Sequence, residues 1–229
     1  MANNLLLREE DLVNNPTARV PVCLCLDVSG SMDGQPINEL NKGVQLFYDA
    51  VKEDEVALYS VEICVVTFGG TEAVCLKDFA SMELEPNPPK LHAAGITPMG
   101  EAVNMALDLL EQRKKEYKDK GVDYYQPWLV LMTDGDPNGS EAALERAIER
   151  TVQLINTRKL TMFPIGIGAS ADMKTLAKFS PNREPLKLQG LKFKEFFSWL
   201  SKSVSRVSQS MPGEKVKPDV EGIKGWGEL

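Results

Sequence analysis

The apolar positions along the chain predict alternating strands and helices. Mainly apolar runs of strand length occupy residues 20–26, 60–68, 128–132 and 161–167, and such runs are typical of strands buried on both faces of a parallel sheet. After the first run, apolar residues recur at helical spacing: Ile37, Leu40, Val44, Phe47 and Val51. They predict a helix with one face toward the core. The alternation favours an α/β fold with one doubly wound, mostly parallel sheet.

The remaining elements fit the same plan. The turn at Gly69-Gly-Thr71 leads into a run at 73–79, which predicts an antiparallel hairpin at the edge of the sheet. Helices are predicted from about 99, 140, 172 and 193, and a short strand near Leu186. A charged run at 113–120 is predicted to be a solvated helix face, and Gly121 to cap that helix.

Length and charge narrow the function classes. The chain has 229 residues, and we predict one domain over 19–210, with a lead-in at 1–18 and a Gly/Pro-rich tail at 211–229. A net charge of −7 without a basic stripe argues against a nucleic-acid partner. No segment reads as a signal peptide or a bilayer span, so no membrane role is expected. The four cysteines lack metal-site spacing and are predicted to be free buried thiols in a cytoplasmic protein.

Three loops that adjoin predicted strands or helices carry oxygen-bearing side chains. Asp27, Ser29 and Ser31 follow the first strand, Thr97 precedes a helix, and Asp134 follows a later strand. Because ligands in open α/β sheets bind beyond the carboxyl ends of the strands, these five side chains are expected to converge. Two carboxylates and three hydroxyls are hard ligands that suit Mg²⁺, or alternatively Mn²⁺ or Ca²⁺. Such a site leaves the ion able to accept an outside carboxylate.

Simpler interpretations exist for each residue alone. Ser29 and Ser31 could cap a helix or turn, and Asp134 could be an ordinary turn residue. The loops around the expected site also offer candidate contacts for a protein partner: Met32, Asp33, Gly34, Ile96, Met99 and Asp136. Asp33 and Asp136 could tune the charge of the site, but solvated loop positions are the simpler interpretation; Met32, Ile96 and Met99 are compatible with either an apolar rim or burial.

The principal alternative from another class is a Mg²⁺-dependent phosphohydrolase with Asp27 as the nucleophile. That chemistry needs a second carboxylate two residues later as an acid/base, and the chain has Ser29 there. A dinucleotide site is disfavoured because the loop after the first strand lacks spaced glycines. The interpretation preferred from the sequence is a non-enzymatic binding domain.

The three motifs together resemble the metal-ion-dependent adhesion site of von Willebrand factor type A domains. The matching segments are Asp27-Val-Ser-Gly-Ser31, Gly95-Ile-Thr-Pro-Met-Gly100 and Thr133-Asp-Gly135. The resemblance implies a Rossmann-like sheet of order 3-2-1-4-5-6 with strand 3 antiparallel and helices on both faces. It also implies an ion contacted by Ser29, Ser31 and Thr97.

In that family, the aspartates corresponding to Asp27 and Asp134 hold the ion directly or through water, and a partner protein's Glu or Asp completes the shell. Within the family, the chain is most similar to the bacterial TerY-like group associated with tellurium resistance. That group shares the Pro21-Val22 strand start and the Thr67-Phe-Gly69 strand end. The resemblance therefore implies a metal-dependent protein-binding module, in a bacterial stress or tellurite-resistance setting.

Overall fold

The computed structural model describes residues 10–210 and 227–228. Strands β1 to β7 are Val20–Asp27, Val61–Gly69, Glu72–Lys77, Trp128–Thr133, Thr161–Ile167, Leu186–Leu188 and Gly227–Glu228. Helices α1 to α6 are Gln35–Glu53, Glu55–Ser60, Met99–Lys120, Glu141–Asn156, Met173–Lys178 and Phe193–Ser208. A single 3₁₀ turn, Gly30–Met32, lies between β1 and α1.

The strands form one sheet in the order β3-β2-β1-β4-β5-β6-β7. Strands β1, β2, β4, β5 and β6 pair in parallel, whereas β3 and β7 are antiparallel to their neighbours. The predicted order 3-2-1-4-5-6 with an antiparallel strand 3 is therefore confirmed. The chain runs from β1 to β2 on one side and returns to β4 on the other, so the strand order reverses between β1 and β4. The carboxyl end of this pair is the place where open α/β sheets bind ligands.

Two apolar cores cover the two faces of the sheet. On one face, Val22 and Leu24 of β1 pack in a cluster with α1 and α6. On the other, Cys23 and Cys25 belong to a cluster that includes residues of α3, α4 and α5. Side chains alternate between faces along a strand, and β1 is buried throughout because both faces are covered. The predicted core stripe of α1 is confirmed on the first face.

The cysteines are free, as the sequence predicts. Cys23, Cys25 and Cys64 are buried in the second core, and Cys75 on the edge strand β3 is partly buried. Burial raises the pKa of the thiols of Cys23, Cys25 and Cys64, because the thiolate loses its hydration there.

The prediction that the charged run at 113–120 is a solvated helix face is wrong for its first two residues. Arg113 and Lys114 are buried, not solvated. The Arg113 guanidinium donates two hydrogen bonds to Glu62, from Nε at 2.7 Å and from Nη2 at 2.8 Å, and the Tyr117 hydroxyl donates a third at 2.6 Å. Glu62 is the second residue of β2, and Arg19 Nε lies 3.2 Å from its Oε1 atom. A buried carboxylate on the strand thus draws the helix arginine inward.

Local signals account for two of the helix boundaries. Gly121 ends α3 in the left-handed conformation, φ +69°, and confirms the predicted cap. The short helix α2 was not predicted, and Asp54 begins it by accepting hydrogen bonds from the amides of Val56 and Ala57.

The predicted terminal segments are only partly described. In the lead-in, residues 10–14 are helical, and Leu12 is buried. In the tail, residues 227–228 form β7, and 211–226 lie outside the described residues. Within the described part of the chain, no helix is long and apolar enough to cross a bilayer.

Candidate metal centre

Asp27, the last residue of β1, lies at the base of the candidate site. Its side chain is buried, and each carboxylate oxygen accepts a hydrogen bond: Oδ1 from the Ser29 amide at 2.8 Å and Oδ2 from the Thr133 hydroxyl at 2.6 Å. Burial raises the pKa of Asp27, while these hydrogen bonds oppose the rise and the nearby charge of Asp134 adds to it. A cation beside this carboxylate would favour its ionised form.

Ser29 and Ser31 face each other and the loop after β4. Their hydroxyl oxygens lie 3.0 Å apart, and the Ser31 hydroxyl donates to Asp134 Oδ1 at 2.8 Å. Neither serine caps a helix: Ser29 precedes the 3₁₀ turn without a side-chain capping bond, and Gly34 is the N-cap of α1. Ser29 thus occupies the N-cap position of the 3₁₀ turn without a capping bond from its hydroxyl, and neither serine is the N-cap of α1.

Thr97 is placed by contacts on two sides. The Gly95 carbonyl accepts a hydrogen bond from the Gly30 amide at 3.0 Å, which joins the Thr97 loop to the serine loop. The Thr97 amide donates to Asn138 Oδ1 at 2.6 Å, which joins it to the loop after β4. Thr97 is only 6% exposed, and its hydroxyl forms no hydrogen bond with any described residue.

The close approach of the loops depends on glycine. Gly95 has φ +65°, and a Cβ there would lie 2.2 Å from the carbonyl oxygen of Gly70. No other residue combines that backbone conformation with that contact. The Gly70–Gly95 bridge holds the Thr97 loop against the end of β2.

The donor set fits a hard divalent ion. Neighbouring ligands of an octahedral Mg²⁺ at about 2.1 Å lie about 3 Å apart. The oxygen separations of 3.0 Å between Ser29 and Ser31 and 2.8 Å between Ser31 and Asp134 match that spacing. Among the described residues, no group of three or more His, Cys, Asp or Glu side chains could hold a metal. Any ion at this centre would therefore be held mainly by hydroxyls and the two aspartates, which suits Mg²⁺ better than Zn²⁺.

The predicted rim needs one correction. Asp33, Gly34 and Asp136 are exposed, and Ile96 is 45% exposed. Met32 and Met99, by contrast, have no exposed surface. The reason is that Met32 packs into the first core below the 3₁₀ turn, and Met99 begins α3 on the face that packs into the second core. The apolar part of the rim is reduced to Ile96.

Two residues that contact the site were not predicted from the sequence. Thr133 is the last residue of β4, and the β1–β4 register sets it beside Asp27; that register would have indicated the contact. Asn138 lies in a turn-rich segment, and nothing local distinguishes it from a solvated turn residue. Both contact proposed metal ligands: Thr133 donates a hydrogen bond to Asp27, and Asn138 accepts one from the Thr97 amide.

The fold and site define a doubly wound α/β domain with an oxygen-rich centre at the switch point of its sheet. Residues 22–191 match the family model of the von Willebrand factor type A domain. The chain therefore belongs to the von Willebrand factor type A domain family. Domains of this family generally serve as protein-interaction modules.

Curated relatives are distant and much longer. The chain is 26% identical over 166 residues to inter-alpha-trypsin inhibitor heavy chain H4 of Sus scrofa, covering 69% of this chain and 17% of that protein. It is 22% identical over 165 residues to heavy chain H3 of Mus musculus, covering 71% and 18% respectively. The chain thus corresponds to less than a fifth of either relative.

Solved structures share the fold at low identity. A von Willebrand factor type A protein from Catenulispora acidiphila superposes with a TM-score of 0.61 at 20% identity, over 82% of this chain and 43% of that one. The corresponding domain of the pilus tip protein Mfa5 from Porphyromonas gingivalis gives 0.53 at 14% identity, over 87% and 99%. The pilus adhesin SpaC from Lactobacillus rhamnosus GG gives 0.62 at 11% identity, over 83% and 30%.

Proposed function

We propose that this domain binds a protein partner through a divalent metal ion, Mg²⁺ in the first instance, held by Asp27, Ser29, Ser31, Thr97 and Asp134. The partner supplies a Glu or Asp carboxylate to the ion. The carrying observation is that oxygens of Ser29, Ser31 and Asp134 face one another at about ligand spacing, with no side-chain capping hydrogen bond from Ser29. The bound ion supplies the positive charge that attracts the partner's carboxylate.

The roles of the chain's own residues follow from their positions. Ser29, Ser31 and Thr97 offer neutral hydroxyl oxygens, so two aspartates only balance a divalent ion. Asp27 lies deepest and holds the Ser29 amide in place, while Asp134 orients the Ser31 hydroxyl. The exposed residues Asp33, Gly34, Ile96 and Asp136 are the proposed surface for partner contacts.

The enzyme alternative has less support. Aspartyl nucleophile chemistry needs a second carboxylate two residues later as an acid/base. That position is Ser29, whose amide donates a hydrogen bond to Asp27 Oδ1. The name of one structural relative, the pilus adhesin SpaC, also agrees with a role in adhesion. A connection to tellurite resistance remains a proposal drawn from the resemblance to the TerY-like group.

Calorimetric titration of chelator-stripped protein with Mg²⁺ and Mn²⁺ tests the metal centre. Wild type is expected to bind one ion, and Ser31→Ala and Thr97→Ala to bind it at least tenfold more weakly. Thr71→Ala is the matched control, since Thr71 is exposed at the same end of the sheet outside the proposed centre. Absence of saturable binding by wild type would refute the proposal.

A second measurement addresses the carboxylate. Bound Mn²⁺ enhances water-proton relaxation, and acetate is expected to lower that enhancement by displacing a coordinated water, whereas acetamide is expected to leave it unchanged. An aryl-phosphate hydrolysis assay runs in parallel. Turnover that depends on Asp27 would move the protein to the enzyme class.

A further inference from the structure

Asn138 joins two of the loops that carry the candidate metal ligands. Its side-chain Oδ1 accepts a hydrogen bond from the Thr97 amide at 2.6 Å, and its own amide donates to the Thr97 carbonyl at 3.1 Å. Both backbone polar groups of Thr97 are therefore bound to one residue, 41 positions away in sequence. Asn138 follows Asp134 by four residues, so the bridge connects the Thr97 loop with the Asp134 loop.

The opposite side of the Thr97 loop is fixed independently. The Ile96 amide donates to the Gly70 carbonyl at 2.9 Å, and the Gly30 amide donates to the Gly95 carbonyl at 3.0 Å. The loop is thus held on one side by β2 and the serine loop, and on the other by Asn138. The Thr97 carbonyl also accepts a hydrogen bond from the Met99 amide at 2.8 Å, so the side chain of Asn138 is the acceptor that holds the Thr97 amide, while the Thr97 carbonyl is shared with the start of α3.

A second contact strengthens the same junction. Glu101 Oε1 accepts a hydrogen bond from the Ser140 amide at 2.8 Å. A Cβ on Gly139 would lie 2.5 Å from Glu101 Oε2 and 2.9 Å from the Pro98 Cα atom, so glycine allows the two loops to touch. Residues 138–140 as a unit therefore dock onto the Thr97 loop and the first turn of α3.

We infer that Asn138 is a positioning residue for the metal centre, which fixes the Thr97 hydroxyl relative to Asp134 without touching the ion. This inference rests on the proposed function. Residues that orient metal ligands typically contribute about 10- to 100-fold to metal affinity. Loss of the Asn138 side chain is expected to weaken Mg²⁺ binding by that factor.

Two variants distinguish the loss of the Oδ1 acceptor from the effect of a new negative charge at position 138. Asn138→Ala removes the Oδ1 acceptor, and Asn138→Asp retains an oxygen there. Because the new carboxylate would itself attract a cation, it is combined with Glu141→Gln, which removes an exposed charge three residues further on and restores the loop's net charge. Calorimetry with Mg²⁺ alone measures the affinity, and thermal unfolding in chelator measures stability without metal.

Asn104→Ala is the matched control for a purely structural effect. Asn104 Nδ2 donates to the carbonyl oxygens of Gly100 and Ala143, both at 2.8 Å, and so joins α3 to α4 one turn further from the site. This variant is expected to lower the melting temperature while Mg²⁺ affinity stays within twofold of wild type.

Asn138→Ala is expected to bind Mg²⁺ about 10- to 100-fold more weakly than wild type. The charge-balanced Asp variant is expected to bind Mg²⁺ within about threefold of the wild-type affinity. Wild-type affinity in Asn138→Ala, or an equal loss in the Asp variant, would overturn the positioning role while leaving the metal centre intact. If wild type bound no ion while Ser31→Ala and Thr97→Ala behaved identically to it, the metal centre itself would be refuted, and the positioning role with it.

Discussion

Replacing Glu62 with alanine gives the sharpest test of the packing between β2 and α3. The Glu62 carboxylate has no exposed surface and receives three hydrogen bonds from Arg113 and Tyr117, with Arg19 Nε 3.2 Å away. Without it, two buried guanidinium groups lose their shared counter-charge. Removing one partner of a buried ion pair costs about 3–5 kcal/mol of unfolding free energy.

That loss is large enough to measure by thermal or urea unfolding. For a domain of this size, 1 kcal/mol corresponds to a change in melting temperature of about 2–4 °C. Glu62→Ala is therefore expected to lower the melting temperature by roughly 6–20 °C. The isosteric Glu62→Gln separates charge from volume and is also expected to be clearly destabilising, because an amide group would face a guanidinium.

Glu116 is the internal control because it contacts the same arginine from the surface. Its carboxylate lies 2.6 Å from Arg113 Nη1 and is 34% exposed. Glu116→Ala is expected to cost about 0–1 kcal/mol, and that small effect should decrease further with added salt. A loss of stability in Glu62→Ala no larger than in Glu116→Ala, or unfolding of Glu62→Gln at the wild-type temperature, would refute the stabilising role of the buried carboxylate.

Three further predictions use the same unfolding and titration assays. Gly43→Ala should destabilise the protein by about 1–3 kcal/mol, because its Cβ would lie 2.7 Å from the Phe197 ring. Thr133→Val should weaken Mg²⁺ binding and lower stability by about 1–3 kcal/mol, since Asp27 Oδ2 loses its donor. Asp172→Ala should cost about 1 kcal/mol by removing the cap of α5. Hydrogen bonds, first to Thr175, lower the pKa of Asp172 in the folded protein. The stabilisation from Asp172 is therefore complete above the unfolded pKa of about 3.9 and is lost as pH falls through the lower folded pKa. If the stability of Asp172→Ala depended on pH in the same way as that of wild type, this prediction would be contradicted.

The strands and the three ligand-bearing loops could be predicted from the sequence because their signals are local, whereas the strand order came from the resemblance to von Willebrand factor type A domains. Continuous apolar runs mark buried parallel strands, and the loop that follows such a strand in an open sheet adjoins the ligand crevice. Asp27 comes directly after a run of this kind, and Asp134 follows another with Thr133 between them. The convergence of their loops then followed from the topology.

The parts that failed depend on partners distant in sequence. The burial of Arg113 requires Glu62, 51 residues earlier, although a glutamate inside an apolar run was itself a sign of a buried partner. Met32 ends the 3₁₀ turn and Met99 begins α3, and at such positions one residue of rotation decides between core and rim. The contact of Asn138 with Thr97 has no sequence pattern, because it depends on how two loops meet.

The free thiols of the second core make it possible to measure chemically how often the central strands separate. Cys23, Cys25 and Cys64 have no exposed surface, and their raised pKa values keep them protonated at neutral pH. An alkylating reagent reacts with thiolates, so it can modify them only in molecules whose sheet has opened. With the edge-strand Cys75 replaced by serine, the alkylation rate in native buffer would report the frequency of that opening, using reporter groups that the protein already contains.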